Sequence, residues 1–231
     1  MCVGIKKIMD TNKFSTEEIA AVYKAIRERR DMRHFLATPL EEGQLERLLQ
    51  AAHMAPSVGL MQPWRFMRIT DRQLRAAIHK HVEEERIATA DALGERSSEF
   101  MRLKVEGILS CAEVLVVGLT DHREKYIFGR RTMPEMDLAS ASCAIQNMWL
   151  AARAEGIGLG WVSLFDPKKL RELCQMPEGS QPIAILCLGH VKDFYTAPML
   201  ELEEWDKRKA VSEILYENSW GTNESGAKSI L

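Results

Sequence analysis

Apolar positions along the chain recur with two periods, and they mark off a succession of helices and strands. Ser15 and Glu18 form a capping-box signature, after which Ile19, Val22, Tyr23 and Ile26 repeat at helical spacing. That helix ends in Arg27-Glu28-Arg29-Arg30-Asp31-Met32-Arg33. Thr38-Pro39-Leu40-Glu41 opens a second helix with Leu45, Leu48, Leu49 and Ala52 on one face. It stops at a rigid, non-helical segment, Ala55-Pro56-Ser57-Val58-Gly59 running on to Pro63-Trp64, and Arg65 to Ile69 follows as a short strand. Asp71 caps a third helix carrying Leu74, Ile78 and Val82. From His79 to Glu95 the charge is so dense that a solvated or mobile excursion is expected, and Ser97 to Ser110 returns to a helical pattern through Phe100, Leu103, Val105 and Ile108.

Glu113 to Leu119 is β-branched and almost wholly apolar, as a strand buried on both faces would be. A polar loop covers Asp121 to Glu135. Met136 to Glu155 is the longest helix, apolar nearly all round through Leu138, Ala141, Ala144, Ile145, Met148, Trp149 and Ala152, so it belongs at the centre or at a subunit interface. Gly156 supplies its stop. Ile157 to Leu164 reads as a loop entering a short strand, Asp166-Pro167 starts a further helix, and Pro182 to Gly189 is another apolar strand. The tail from Tyr195 is polar. Without internal repeats or a low-complexity linker, the pattern describes one α/β domain behind an N-terminal arm of residues 1–14.

Composition narrows the partners. The 231 residues carry 31 basic and 33 acidic side chains, so a net charge of -2 gives no general attraction to nucleic acid or membrane. Arg27 to Arg33 and Arg130-Arg131 concentrate positive charge locally, which suits a small anionic ligand. Five cysteines (Cys2, Cys111, Cys143, Cys174, Cys187) form no C-x-x-C pair, and four lie in apolar stretches, so buried free thiols in a reducing compartment are expected. The N-terminus lacks an apolar signal region and no run reaches the length of a membrane span, which points to the cytoplasm.

Arginine presents a fixed fork of donors matched to phosphate and carboxylate. Taken alone, four of them at a helix end also fit a solvated face that complements the helix dipole. There is no Walker A sequence, no G-x-S-x-G elbow and no H-E-x-x-H. Six dispersed histidines show no metal-ligand spacing, so no metal is expected. Gly156-x-Gly158-x-Gly160 follows a helix and enters a strand, the reverse of a dinucleotide fingerprint.

Arg29-Arg30-Asp31-Met32-Arg33, the segment Ala55 to Trp64, Met136-Asp137-Leu138, Ala151 to Gly156 and Gly160-Trp161-Val162-Ser163 together resemble the nitroreductase-like flavoproteins. Within them, Asp31 with Ser163 resembles the flavin-destructase subgroup, which makes 5,6-dimethylbenzimidazole. The likeness runs from about Ser15 to Gly221. It implies an α/β (α+β) fold with a central, mostly antiparallel sheet flanked by helices. It implies a homodimer of domain-swapped type with the long helix at its interface and residues 195–231 as a tail reaching the partner; residues 79–96 read equally as a lid over the flavin or as a simple exposed helix. FMN would contact Arg29, Arg30, Asp31, Met32, Arg33, Ser57, Met61, Gln62, Leu103, Gly160, Trp161, Val162, Ser163 and Arg208. Asp31 and Ser163 would be catalytic. Reduced FMN would be the substrate and O2 the co-substrate, with NAD(P)H as indirect reductant through a separate flavin reductase. An NAD(P)H-dependent nitro- or quinone reductase that keeps its flavin, and a non-catalytic flavin-binding protein, are the competing readings.

Overall fold

The structure, a computed structural model, describes residues 12–220 in two units that divide after Thr196. The expected arm of residues 1–14 falls mostly outside the described residues. In the first unit, helix α1 (Thr16–Glu28) starts with the capping box in full: the Glu18 N–H donates to Ser15 Oγ at 3.2 Å and the Ser15 N–H to Glu18 Oε2 at 2.8 Å. Helix α2 (Gln44–His53) begins later than Thr38-Pro39 suggested, after Gly43 at φ 74°, a left-handed turn that glycine adopts at little cost. Four strands follow: β1 (Trp64–Arg68), β2 (Glu113–Leu119), β3 (Ile157–Val162) and β4 (Gln181–His190). They form one sheet in the order β1-β2-β4-β3, antiparallel at every step.

The pleat of the sheet explains why β2 and β4 are apolar throughout, since successive side chains face opposite sides. Leu115, Val117, Leu119, Ala184, Leu186 and Leu188 meet Leu48 and Ala52 of α2 and the long helix α5 (Met136–Ala154). Val114, Val116, Ile185 and Cys187 meet Ile78 and Val82 of α3 (Arg72–Ala92) and Leu170 of α6 (Pro167–Leu173). Helices thus cover both faces. Asp71 caps α3 and Asp166 caps α6, each accepting a backbone N–H at 2.7 Å.

Two expected elements change here. The charged stretch from His79 is a continuation of α3 that buries His81, Val82 and Ala90, and His81 Nε2 accepts the Asp166 N–H at 2.9 Å. Its exposed charges, Lys80, Glu84 and Asp91, lie away from that buried side, while Arg86 turns inward to the Met101 and Leu103 carbonyls. The helical pattern across Ser97 to Ser110 yields just α4 (Ser97–Arg102), after which the backbone extends and buries Leu103 and Ile108. Conversely, the apolar stripe of α1 is not core: Val22, Tyr23 and Ile26 are 49, 63 and 50 % exposed. The only correction among the described thiols is Cys143, which is exposed on the outer face of α5, whereas Cys111, Cys174 and Cys187 are buried.

The loop from Asp121 is not uniformly solvated either. Asp137, buried in the first turn of α5, accepts from Arg123 Nε at 2.8 Å and from Arg130 Nε and Nη2 at 3.2 and 3.1 Å. His122 and Arg131 do face solvent. The second unit contains α7 (Met199–Leu202) and Tyr216 stacked on Trp220, with exposed Leu200, Ile214 and Leu215. Among the described residues no helix is long and apolar enough to cross a membrane.

Candidate functional site

The arginine run leaves α1 at its C-cap, Arg29, and continues in extended conformation alongside β3. Asp31 pairs with Leu159 in parallel, and the Met32 N–H donates to the Leu159 carbonyl at 3.0 Å. Met32 is buried, and alternate residues of an extended chain share a side, so Asp31 and Arg33 emerge together. This close approach depends on the glycines of β3. A Cβ at Gly160 would lie 2.2 Å from the Met32 carbonyl oxygen and 3.0 Å from Arg33 Nη1; one at Gly158 would lie 3.2 Å from Met32 Cγ. The spacing that failed as a nucleotide fingerprint is therefore a docking surface for the strip.

Asp31, Arg33, Trp161 and Ser163 line an open cleft of about 650 Å³ together with Leu138, Ser142 and Trp149 of α5 and Ile183 of β4. Asp31 Oδ1 accepts the Trp161 N–H at 2.8 Å, while Oδ2 accepts from Arg33 Nη2, which also donates to the Trp161 carbonyl at 2.8 Å. About 41 % of the Asp31 side chain faces the cleft, but protein closes round the carboxyl elsewhere. That desolvation pushes its pKa up; the charge of Arg33, the Trp161 amide and the charge of Arg29 pull it back without cancelling the rise. A carboxyl held in this way can exchange a proton with a group in the cleft more readily than an ordinary aspartate.

The remaining arginines divide. Arg29 lies over the Trp149 ring, 4.5 Å from its centroid, and Trp149 Nε1 donates to the Arg30 carbonyl at 3.0 Å, so α5 fixes where the strip starts. Arg30 turns onto backbone, donating to the carbonyls of Arg27 and Arg29 at 2.8 Å each and of Thr196 at 3.0 Å. The Arg33 N–H donates to Tyr195 Oη at 3.3 Å, which also bonds His34 Nδ1 at 2.7 Å.

The other expected contacts of the first unit, Ser57, Met61, Gln62, Val162 and Leu103, do not line this cleft. Ser57 Oγ accepts the Gln62 N–H at 3.0 Å, and the Val58 N–H donates to Ser140 Oγ at 3.0 Å, so that loop is pinned to α5. Met61 is buried, and Gln62 sits at φ 48°. Ser140 lies on the opposite side of the helix from Leu138 and Ser142, so α5 stands between the loop and the Asp31 cleft. Val162 points into the core on the α3 side, and Leu103 is buried after α4. Arg208, in the second unit, is exposed with Nε 3.7 Å from Glu201. Sequence reasoning did not single out Trp149, Ser142 or Ile183 as lining residues; only the four-residue spacing of Leu138 and Ser142 could have signalled a shared outward face.

One carboxylate–histidine group was also missed. His79 and Glu83, one turn apart on α3, converge with buried Glu106, their ligand atoms within 4.8 Å of one another. Cations already serve it: Lys104 Nζ is 2.9 Å from Glu106 Oε1 and Arg86 Nη1 is 3.1 Å from Glu83.

In sequence and fold the chain is similar to known proteins. A 5,6-dimethylbenzimidazole synthase of Rhodospirillum rubrum is 39 % identical over 184 residues, covering 78 % of this chain and 87 % of its own. One from Rhodobacter capsulatus is 36 % identical over 191 residues, covering 81 and 91 %. Among solved structures, an iodotyrosine deiodinase bound to FMN and 3-iodo-L-tyrosine superposes with a TM-score of 0.67 at 21 % identity, over 86 % of this chain and all of that one. The model of the nitroreductase family matches residues 26–190, from the end of α1 to the end of β4, and the chain belongs to that family.

Proposed function

We propose that this protein is a 5,6-dimethylbenzimidazole synthase: it fragments reduced FMN with O2, giving 5,6-dimethylbenzimidazole and erythrose 4-phosphate. FMN is the substrate, and one ribityl carbon becomes the new ring carbon. The observation that carries the reading is the Asp31 carboxyl, clamped by Arg33 and the Trp161 amide and open to a cleft walled by Trp149, Trp161 and Ile183. The similarity to two synthases supports it.

The residues present fit an anionic, aromatic ligand. Arg33 lines the cleft, and its buried Nε and Nη1 have no hydrogen-bond partner among the described residues. Buried donors left unpaired cost free energy that an incoming acceptor recovers. Trp149 and Trp161, with centroids 6.4 Å apart, offer faces to a flat ring system. In this reading Asp31 moves protons to and from the bound ring, and the Ser163 hydroxyl, exposed in the same cleft, hydrogen-bonds to intermediates.

Because α5 separates Ser57 and Gln62 from the Asp31 cleft, both sets reach one flavin only if two chains contribute to each site. A homodimer supplies that arrangement, and the half-exposed stripe of Val22, Tyr23 and Ile26 on α1 is the kind of surface a second copy would cover. Arg208 and the tail then act on the partner's flavin. Reduced FMN reaches the protein from an NAD(P)H-dependent flavin reductase in the cytoplasm.

The test supplies excess reduced FMN and air and follows 5,6-dimethylbenzimidazole by chromatography and mass. Asp31→Asn abolishes product while leaving FMN bound. Intact FMN with consumption of NADPH and a nitroarene would establish a flavin-keeping reductase instead. Retention of FMN with neither reaction would leave a binding protein.

A further inference from the structure

The Trp161 peptide is read from both ends by one pair of side chains. Its N–H goes to Asp31 Oδ1, its carbonyl receives Arg33 Nη2, and the same Nη2 closes onto Asp31 Oδ2. Both carboxylate oxygens are therefore tied to fixed donors, and the direction in which the remaining lone pairs face the cleft is set by Arg33 as much as by Asp31 itself.

Three features separate this from an ordinary buried ion pair. Among the described residues the side-chain bonds of Arg33 go to Asp31 and Trp161, both cleft residues, so the guanidinium acts where the strip meets β3. Its Nη1 packs closely against β3, 3.0 Å from where a Cβ on Gly160 would stand. And the backbone of Arg33 is held independently by Tyr195 Oη, which fixes the root of the side chain without using its head. The charged groups around the Asp31 carboxyl are Arg33 from the same strip and Arg29 from the end of α1; the β3 side contributes the Trp161 amide.

Resting on the synthase reading, we infer that Arg33 is a positioning residue for Asp31: with the Trp161 amide it ties both carboxyl oxygens, so that the group meets the cleft in one orientation. The reacting proton passes through Asp31, and Arg33 acts through that group. The planar fork suits this task because it is permanently charged and has few orientations to lose. A methionine of similar length would fill the space but leave desolvation of Asp31 opposed only by Arg29 and the Trp161 amide.

The test uses the full-length chain and compares wild type, Arg33→Met and Arg33→Lys. The first readout needs no turnover: the Asp31 carboxyl is titrated by carbon-13 NMR, with Asp31→Asn identifying the resonance. Arg33→Met should raise its midpoint by about 1–3 pH units, the usual influence of an adjacent arginine, and Arg33→Lys should recover part of that shift. The second readout is the pH profile of 5,6-dimethylbenzimidazole formation. In Arg33→Met its acidic limb should move upward by the same interval, and kcat should fall about 100-fold, as for a misplaced catalytic group, with KM for reduced FMN changing less than kcat. An unshifted Asp31 titration overturns the inference. So does a variant whose whole deficit is in KM or FMN retention, since Arg33 would then be a plain ligand contact. If wild type makes no product, the synthase reading fails, but the titration still decides whether Arg33 governs Asp31.

Discussion

Replacing Gly160 by alanine probes the site through a single added carbon. Its Cβ would stand 2.2 Å from the Met32 carbonyl oxygen, where real contacts stay above 3.0 Å, and the obstacle is backbone on both sides. The strip must therefore retreat, which stretches the 3.0 Å bond from the Met32 N–H to the Leu159 carbonyl and moves Arg33 off the Trp161 carbonyl. One neutral hydrogen bond is worth about 1 kcal/mol and forced overpacking about 1–3 kcal/mol, so a loss of about 2–4 kcal/mol is expected. Gly94→Ala is the control: φ there is +56° with nothing within 4 Å of the added atom, so only left-handed backbone strain of about 1–2 kcal/mol applies. Urea unfolding measures both, and equilibrium dialysis measures FMN retention. Gly160→Ala should lose stability and FMN together, Gly94→Ala stability alone. A Gly160→Ala protein no less stable than Gly94→Ala, with FMN retention intact, would refute the account of how β3 and the strip fit.

Other consequences can be checked separately. Asp137→Asn leaves Arg123 and Arg130, each with only 15 % of its side chain exposed, without their counter-charge; a loss of about 3–5 kcal/mol in urea unfolding is expected, as for other broken buried pairs, and a loss within experimental error would show the pairs to be solvated. The raised pKa of Asp31 also fixes a sign: its contribution is fully present below the ordinary carboxyl value of 3.8 and is lost as pH rises through the raised folded value, so wild type should lose stability relative to Asp31→Asn across that window. A wild type that gains stability relative to Asp31→Asn as pH rises would contradict this. Mixing Asp31→Asn with a Ser57→Ala, Gln62→Ala double variant after subunit exchange should restore about a quarter of wild-type sites if each site draws on two chains, whereas an average of the two parents would place the whole site in one.

Much of the fold is written in local patterns. The Ser15–Glu18 box, the caps at Asp71 and Asp166 and the alternation-blind apolar runs of β2 and β4 depend on neighbours in sequence, and each is found where the pattern puts it. Tertiary contacts decide the departures. Charge density on α3 hid a buried face, because His81 looks polar but is satisfied by the Asp166 N–H. Asp137 gathers Arg123 and Arg130 from a loop that composition alone marks as solvated. At the cleft, Asp31, Arg33, Trp161 and Ser163 were legible from their motif, whereas Trp149, Ser142 and Ile183 enter only through the packing of α5 against the sheet. The separation of Ser57 and Gln62 from Asp31 could not be read from sequence at all, since it follows from which side of α5 each segment docks.

The strip beside β3 has one more consequence, for solubility. β4 lies on one side of β3, so the other side is an edge whose free N–H and carbonyl groups could recruit a strand from another molecule. Here the Leu159 carbonyl is taken by the Met32 N–H, and both polar groups of the Trp161 peptide are taken by the side chains of Asp31 and Arg33. The groups that shape the cleft thus also blunt a sticky border of the sheet. Lesions at residues 31–33 should accordingly surface as aggregation on expression as well as lost chemistry, and a soluble yield measured beside activity would tell the two apart.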